Sequence, residues 1–297
     1  MAAGAGARAG AHRLIAVSVL AGLLALGSLL PGASAYGGDP DSTSRQSLAE
    51  RRAAQLTKAA VTIQAASATV DRLRARAVAS TSIDQLRQDL QLEQAQFTFR
   101  QAVRGEQAAV YSLAGNPERE AAELPLLTEQ HAAVLAHISE ALRALWRLAE
   151  IDDPTQVHPR NNRRFIAAEP VDALVGYYRS AAAQTGVDWS YLAAINFIES
   201  DFGRVNGPSS AGALGPMQFL LSTWSQYGRG GDIMSPHDSI LGAARFLIAN
   251  GAPADYDRAI LRYNRDLDYV QAVKSYAAAL RIDSAWLNRL HAWSTFG

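Results

Sequence analysis

Between Leu48 and Val78 apolar residues return every seven positions, at Leu56, Ile63, Val70 and Ala77, with Ala59, Ala66 and Leu73 three residues after the first three. This a/d spacing predicts a long helix with a narrow, alanine-rich, coiled-coil-like seam. Ser80-Thr81-Ser82 offers a break and an N-cap. A second helical segment carrying Ile83, Leu86, Leu90, Phe97 and Val103 is then expected to run to about Leu113. Ala114-Gly115-Asn116-Pro117 reads as a stop and turn, after which Leu127, Val134, Ile138, Leu142, Leu145 and Leu148 mark a third amphipathic segment. Helices joined by short turns predict an antiparallel hairpin or bundle over 47–151. Such an arm either packs on itself as a spacer or docks a cell-envelope protein partner.

Residues 152–168 hold two prolines and a polar, basic cluster, and form the expected boundary between domains. Beyond it, over 169–297, the helices are shorter and better punctuated. Pro170 stands at a first helical position and Gly186 at the stop, Asp188 caps the next helix, and Pro216 opens one reaching about Tyr227. Ser235-Pro236-His237-Asp238 resembles a capping box ahead of a helix ending near Gly251, and helices follow near 255–264 and 267–281. The tail carries Trp286, Leu290 and Trp293. No segment alternates with period two between hairpin turns, so the chain is expected to be all-α.

The first residues add a compartment. Arg8 and Arg13 precede the apolar run from Leu14 to Leu30, followed by Ala33-Ser34-Ala35, the layout of a signal peptide over 1–35 with cleavage after Ala35. Uncleaved, the run lies near the lower length limit for a membrane-spanning anchor. Residues 36–46, small and polar, read as a linker. Either way the remainder is expected outside the cytoplasm, secreted or at the cell wall.

The 28 basic and 28 acidic residues cancel, which leaves no global field to attract nucleic acid. There is no cysteine, which removes thiol catalysis and disulfides, and the 6 histidines are scattered without metal-ligand spacing, so no metal and no cofactor is expected.

In Tyr191-Leu-Ala-Ala-Ile-Asn-Phe-Ile-Glu-Ser-Asp-Phe-Gly-Arg204, Leu192 and Ile195 fall on one helical stripe, and the next residue on that stripe is Glu199. A glutamate on an inward face is partly desolvated, which raises its pKa and lets it serve as a general acid. The bland reading is that the helix ends there and Glu199 frays into solvent or pairs with Arg204. Asp201 is no second carboxylate for paired acid and base work, because two residues along a helix turn it through about 200°. The glycine-rich stretch after it lacks the Gly-Lys-Ser/Thr ending of a phosphate loop, and is better read as a turn admitting close backbone approach.

Four blocks in order, FIESDFGR, SSAGALGPMQF with LSTW, DIMSPHDSILGAARFL and RYNRDLDYV, resemble the catalytic domain of bacterial lytic transglycosylases, nearest to the membrane-bound B type found in actinobacteria. The resemblance covers about residues 165–281 and leaves the helical arm outside it. It implies a lysozyme-like, mainly helical fold that cleaves the β-1,4 bond between N-acetylmuramic acid and N-acetylglucosamine in peptidoglycan. Glu199 matches the family's single catalytic acid/base, Ser209 and Gln218 match polar residues lining the glycan site, and Tyr263 and Asn264 match a Tyr-Asn pair facing carboxylate and substrate. Ser200 is expected to support the glutamate. Leu220-Leu221 replaces a frequent proline, and Arg265-Asp266 adds charge near the cleft rim. The implied product is a 1,6-anhydro sugar. A hydrolytic muramidase at the same site, or a non-catalytic wall-binding scaffold acting through the arm, are the competing expectations.

Overall fold

The computed structural model describes residues 42–76, 82–149 and 164–293. The expected signal peptide, most of the 36–46 linker and most of the 152–168 boundary lie outside the described residues. Within them the fold is all-α, with eleven α-helices, and no described helix is long and apolar enough to cross a membrane. Contacts divide the chain into two compact units between Ala132 and Ala133, inside a helix and not in the proline-containing stretch after it.

The first unit is built on α1 (Ser42–Arg74) and α2 (Ser82–Ala114), which pack along one another as an antiparallel hairpin. Helix α1 starts at Ser42, so the linker read to residue 46 is shorter than expected. Of its predicted seam, Leu56, Ile63, Ala66, Val70 and Leu73 are buried, Ala59 is half-buried, and Ala77 lies outside the described residues. On α2, Val103, Val110 and Leu113 are buried, but Ile83, Leu86, Leu90 and Phe97 are exposed, so those four do not belong to the arm's core. The stop at Ala114 is followed by α3 (Pro117–Glu123), a short helix absent from the sequence reading. Asn116 caps it by accepting from the Arg119 N–H at 2.9 Å, with Pro117 at its first position. The open end of the hairpin is pinned by a buried carboxylate: Glu123 takes Arg119 Nε at 2.6 Å and Arg52 Nη1 at 3.7 Å.

Helix α4 (Glu129–Leu148) buries Val134, Ile138, Leu142, Leu145 and Leu148 as its spacing predicts, whereas Leu127, read as part of the same segment, precedes the helix and is half-buried. The second unit also holds α5 (Val171–Thr185), α6 (Trp189–Ser200), α7 (Leu221–Tyr227), α8 (Pro236–Ala249), α9 (Tyr256–Tyr263), α10 (Leu267–Ile282) and α11 (Trp286–Ala292). Arg147 of α4 pairs with Asp268 of α10 at 2.8 Å, which ties α4 to this unit. Helix α6 is the core element, buried from Ser190 to Ser200 and packed against α10, while α5 packs against α8. Caps place the ends: Asp188, Ser235, Asp255 and Asp266 each accept a backbone N–H of the helix that follows, and Gly186 closes α5 with φ 76°. Trp286, Leu290 and Trp293 are buried.

Two expectations are corrected. Pro216 does not open a helix: residues 214–219 form a tight hairpin with Leu214 bridged to Phe219, and α7 begins only at Leu221. Gly215 before the proline and Gln218 after it both have positive φ, 76° and 48°, which no helix tolerates. A two-stranded sheet also pairs β1 (Arg164–Phe165) with β2 (Val205–Asn206) antiparallel, so the second unit takes in residues assigned to the linker.

Candidate active site

Glu199 sits in the last turn of α6, only 2% exposed. The helix continues through it to Ser200, so it does not fray. Nor does it pair with Arg204, which bonds Asp201 at 3.0 Å. Asp201 is the helix C-cap, with left-handed φ 51°, and its carboxylate is committed to that pair, leaving Glu199 without an opposing acid from this turn.

The only hydrogen bond to Glu199 among the described residues comes from the Tyr269 O–H, which donates to Oε1 at 2.6 Å from the first turns of α10. Burial pushes the Glu199 carboxyl up to about 8, and the Tyr269 bond pulls the other way without overcoming it. Tyr269 itself stays a phenol, raised well above its ordinary value by burial and then by the neighbouring Glu199 charge. Oε1 accepts from that phenol, and Oε2 is buried and has no partner. A neutral carboxyl with one oxygen unpaired can act as a proton donor.

The hairpin Leu214–Phe219 is fixed from two sides, by α6 and by α9. Pro216 C=O accepts from Asn196 Nδ2 at 2.9 Å and from the Ser200 hydroxyl, and Tyr178 O–H in turn holds Asn196 Oδ1 at 2.6 Å. Ser200 also accepts from Gly203 N–H at 2.8 Å, so it holds the turn after Glu199, while no hydrogen bond among the described residues joins it to the Glu199 carboxyl. From α9, the Tyr263 O–H donates to Met217 C=O at 2.6 Å. Burial, then the Glu199 charge, raises the Tyr263 pKa, which places that hydroxyl in the electrostatic reach of the acid. Asn264 follows as the C-cap of α9, buried, with its Oδ1 unpartnered. Glu199 and Asn264 thus each bring a buried, unpaired oxygen to the ends of the two helices that clamp one hairpin.

Ser209 and Gln218 are placed differently. Ser209 Oγ accepts from Ala211 N–H at 3.2 Å and Ala213 N–H at 3.0 Å, so it folds its own turn. Gln218, the last residue of the hairpin turn, donates through Nε2 to Gly215 C=O at 2.9 Å. Among the described residues no hydrogen bond joins either to Glu199. Tyr269, Asn196 and Tyr178 were missed in the sequence. The only signal for Tyr269 was its place beside Val270, Ala272 and Val273 on an amphipathic helix, since a buried phenol needs a partner for its hydroxyl.

Gly215 is demanded by geometry: its φ is +76°, and a Cβ there would lie 1.9 Å from the Ile233 carbonyl oxygen. Gly215→Ala is therefore expected to destabilise the protein by about 3 kcal/mol or more in chemical denaturation. Gly212→Ala, with φ +80° but nothing within 4 Å, isolates the backbone cost alone, about 1 kcal/mol.

Comparison with known protein families, with curated proteins and with solved structures gives no match for this chain.

Proposed function

We propose that the protein is a secreted peptidoglycan lytic transglycosylase with Glu199 as its single acid/base. The observation that carries this reading is the buried carboxyl of Glu199, pushed up to about 8, held on one oxygen by Tyr269 and unpaired on the other. Two-carboxylate glycosidases set a second acid across the scissile bond, and Asp201, turned onto Arg204, does not supply it.

One carboxyl suffices for transglycosylation. Glu199 gives its proton to the glycosidic oxygen as the bond from C1 of the muramic acid breaks. The substrate's own N-acetyl group or an oxocarbenium bears the charge. Glu199, now carboxylate, takes the proton of the C6 hydroxyl as that oxygen bonds to C1. The 1,6-anhydro ring closes, the acid is regenerated and no water is consumed. The unpaired oxygen of Asn264 suits a sugar hydroxyl or amide donor, and Gln218 and Tyr263 hold the hairpin fixed by α6 and α9.

Purified peptidoglycan digested by the protein, with the released fragments weighed, tests the proposal. Anhydro ends, lighter by one water than hydrolysed ends, are expected. Hydrolysed ends alone select a muramidase, and wild-type protein that binds glycan without releasing fragments selects the scaffold.

Tyr269 acts as a positioning residue. Tyr269→Phe removes the bond that lowers the Glu199 pKa, so the alkaline limb of the pH–rate profile is expected to move upward while turnover falls about tenfold. An unmoved limb would show that the phenol does not tune the acid.

A further inference from the structure

Two arginines of the second unit, Arg229 and Arg245, stand near one another with no acid to neutralise them. Arg245, half-buried on α8, gives Nη1 to the Tyr227 carbonyl at 3.2 Å, and no carboxylate among the described residues pairs with it or with the exposed Arg229. Burial holds the Arg245 guanidinium below its ordinary value, and the like charge of Arg229 adds to that. The Asp238 charge opposes both, but its carboxylate is already committed to the Asp232 N–H at 2.9 Å and to His237 Nδ1 at 2.8 Å.

The Trp224 ring fixes this pair. A Cβ on Gly228 would lie 2.3 Å from the ring and one on Gly242 2.7 Å from it, so the indole seats the loop carrying Arg229 against the helix carrying Arg245. Arg229 has φ 50° between Gly228 and Gly230, where a further glycine would be the unstrained residue. A side chain kept at a strained position points to a role for it. An aromatic row then leads to the candidate site. Tyr227 meets Phe246 edge-on at 5.2 Å, Phe246 meets Tyr263 edge-on at 5.2 Å, and all three are half-buried. Tyr263 holds the hairpin through Met217 C=O, and Gly215 of that hairpin lies against the carbonyl of Ile233, in the loop that follows Arg229.

We propose that Arg229 and Arg245 form a subsite for a carboxylate carried by the glycan, reached along this aromatic row. The inference rests on the reading of the protein as a peptidoglycan enzyme. Each muramic acid of that polymer bears a lactyl group, which ends in a free carboxylate on a bare strand and carries a peptide with its own carboxylates on an intact one. Half-buried rings suit the apolar faces of sugars, and the N–H groups that Arg245 keeps beyond its bond to Tyr227 suit a carboxylate taken through both oxygens. Arg229 adds a second charge to the same group.

Calorimetry on the full chain, carrying Glu199→Gln so that strands are not cut, compares soluble peptidoglycan strands with the same strands after methyl esterification of their carboxyls. The free carboxylates are expected to bind about 30-fold tighter than the esters. Arg229→Gln, at an exposed position, should cut that preference to about fivefold, and Arg229→Glu, which sets an opposite charge beside Arg245, should abolish it. Strands stripped of peptide keep only the lactyl carboxylate: binding as tight as that of intact strands assigns the lactyl group, and weaker binding assigns the peptide. Equal affinity for strands and esters with both arginines native, or a preference unchanged in Arg229→Glu, would overturn the subsite while leaving cleavage at Glu199 standing. A wild type that cuts no strand while the preference persists would instead sink the proposed activity and keep the subsite.

Discussion

Glu199→Gln is expected to lower the rate of glycan cleavage by about 1,000-fold while leaving glycan binding in place. The amide keeps the shape of the side chain and can still accept the Tyr269 O–H through its oxygen, so the packing around the end of α6 has no reason to change. What is lost is a proton to give and a base to take one back. No other carboxyl in that turn stands in, because Asp201 is bound to Arg204 at 3.0 Å. Release of fragments by the variant within about tenfold of wild type would remove Glu199 from the chemistry.

The same substitution is expected to stabilise the protein at alkaline pH. The Glu199 carboxyl has an ordinary value of 4.5 and is raised to about 8 in the fold. Between those values the folded state holds a proton that the unfolded state has released. Stability is therefore present in full below pH 4.5 and falls as pH rises through 8, by up to about 5 kcal/mol when the carboxylate is forced to ionise in place. Glutamine carries no such slope. Denaturation of both proteins across this window should give curves that coincide at acidic pH and separate steadily toward pH 8, the variant above. His291 slopes oppositely: burial and then Arg204 hold it down at about 4, so it contributes stability above its unfolded value of 6.5 that is lost as pH falls toward 4. That contribution is common to both proteins and cancels in the difference. Parallel curves for wild type and variant would mean that the fold does not raise the Glu199 pKa.

The elements legible in the sequence were those written in local terms. The seven-residue seam of α1, the stop at Gly115, the caps at Asp188 and Ser235 and the glycine at 186 depend on spacing and on residues a few positions apart. The inward position of Glu199 was legible for the same reason. Its burial was not, because the partners arrive from far along the chain: Tyr269 is 70 residues away and the Pro216 carbonyl 16 from Ser200. Pro216 misled as a helix start because proline suits both a first helical turn and a tight hairpin. The choice was made by Asn196 and Ser200, which need that carbonyl as an acceptor. Ile83, Leu86, Leu90 and Phe97 marked the second segment as helical, but not that their side chains are exposed, since a periodic apolar face looks the same whether it is covered or left open.

The most direct test of the central claim is digestion of purified peptidoglycan in water enriched in oxygen-18, with wild type and Glu199→Gln side by side. Transglycosylation predicts that wild type releases anhydro-ended fragments carrying no label and that the variant releases almost none. Labelled reducing ends from wild type, or equal release from both proteins, would contradict the account.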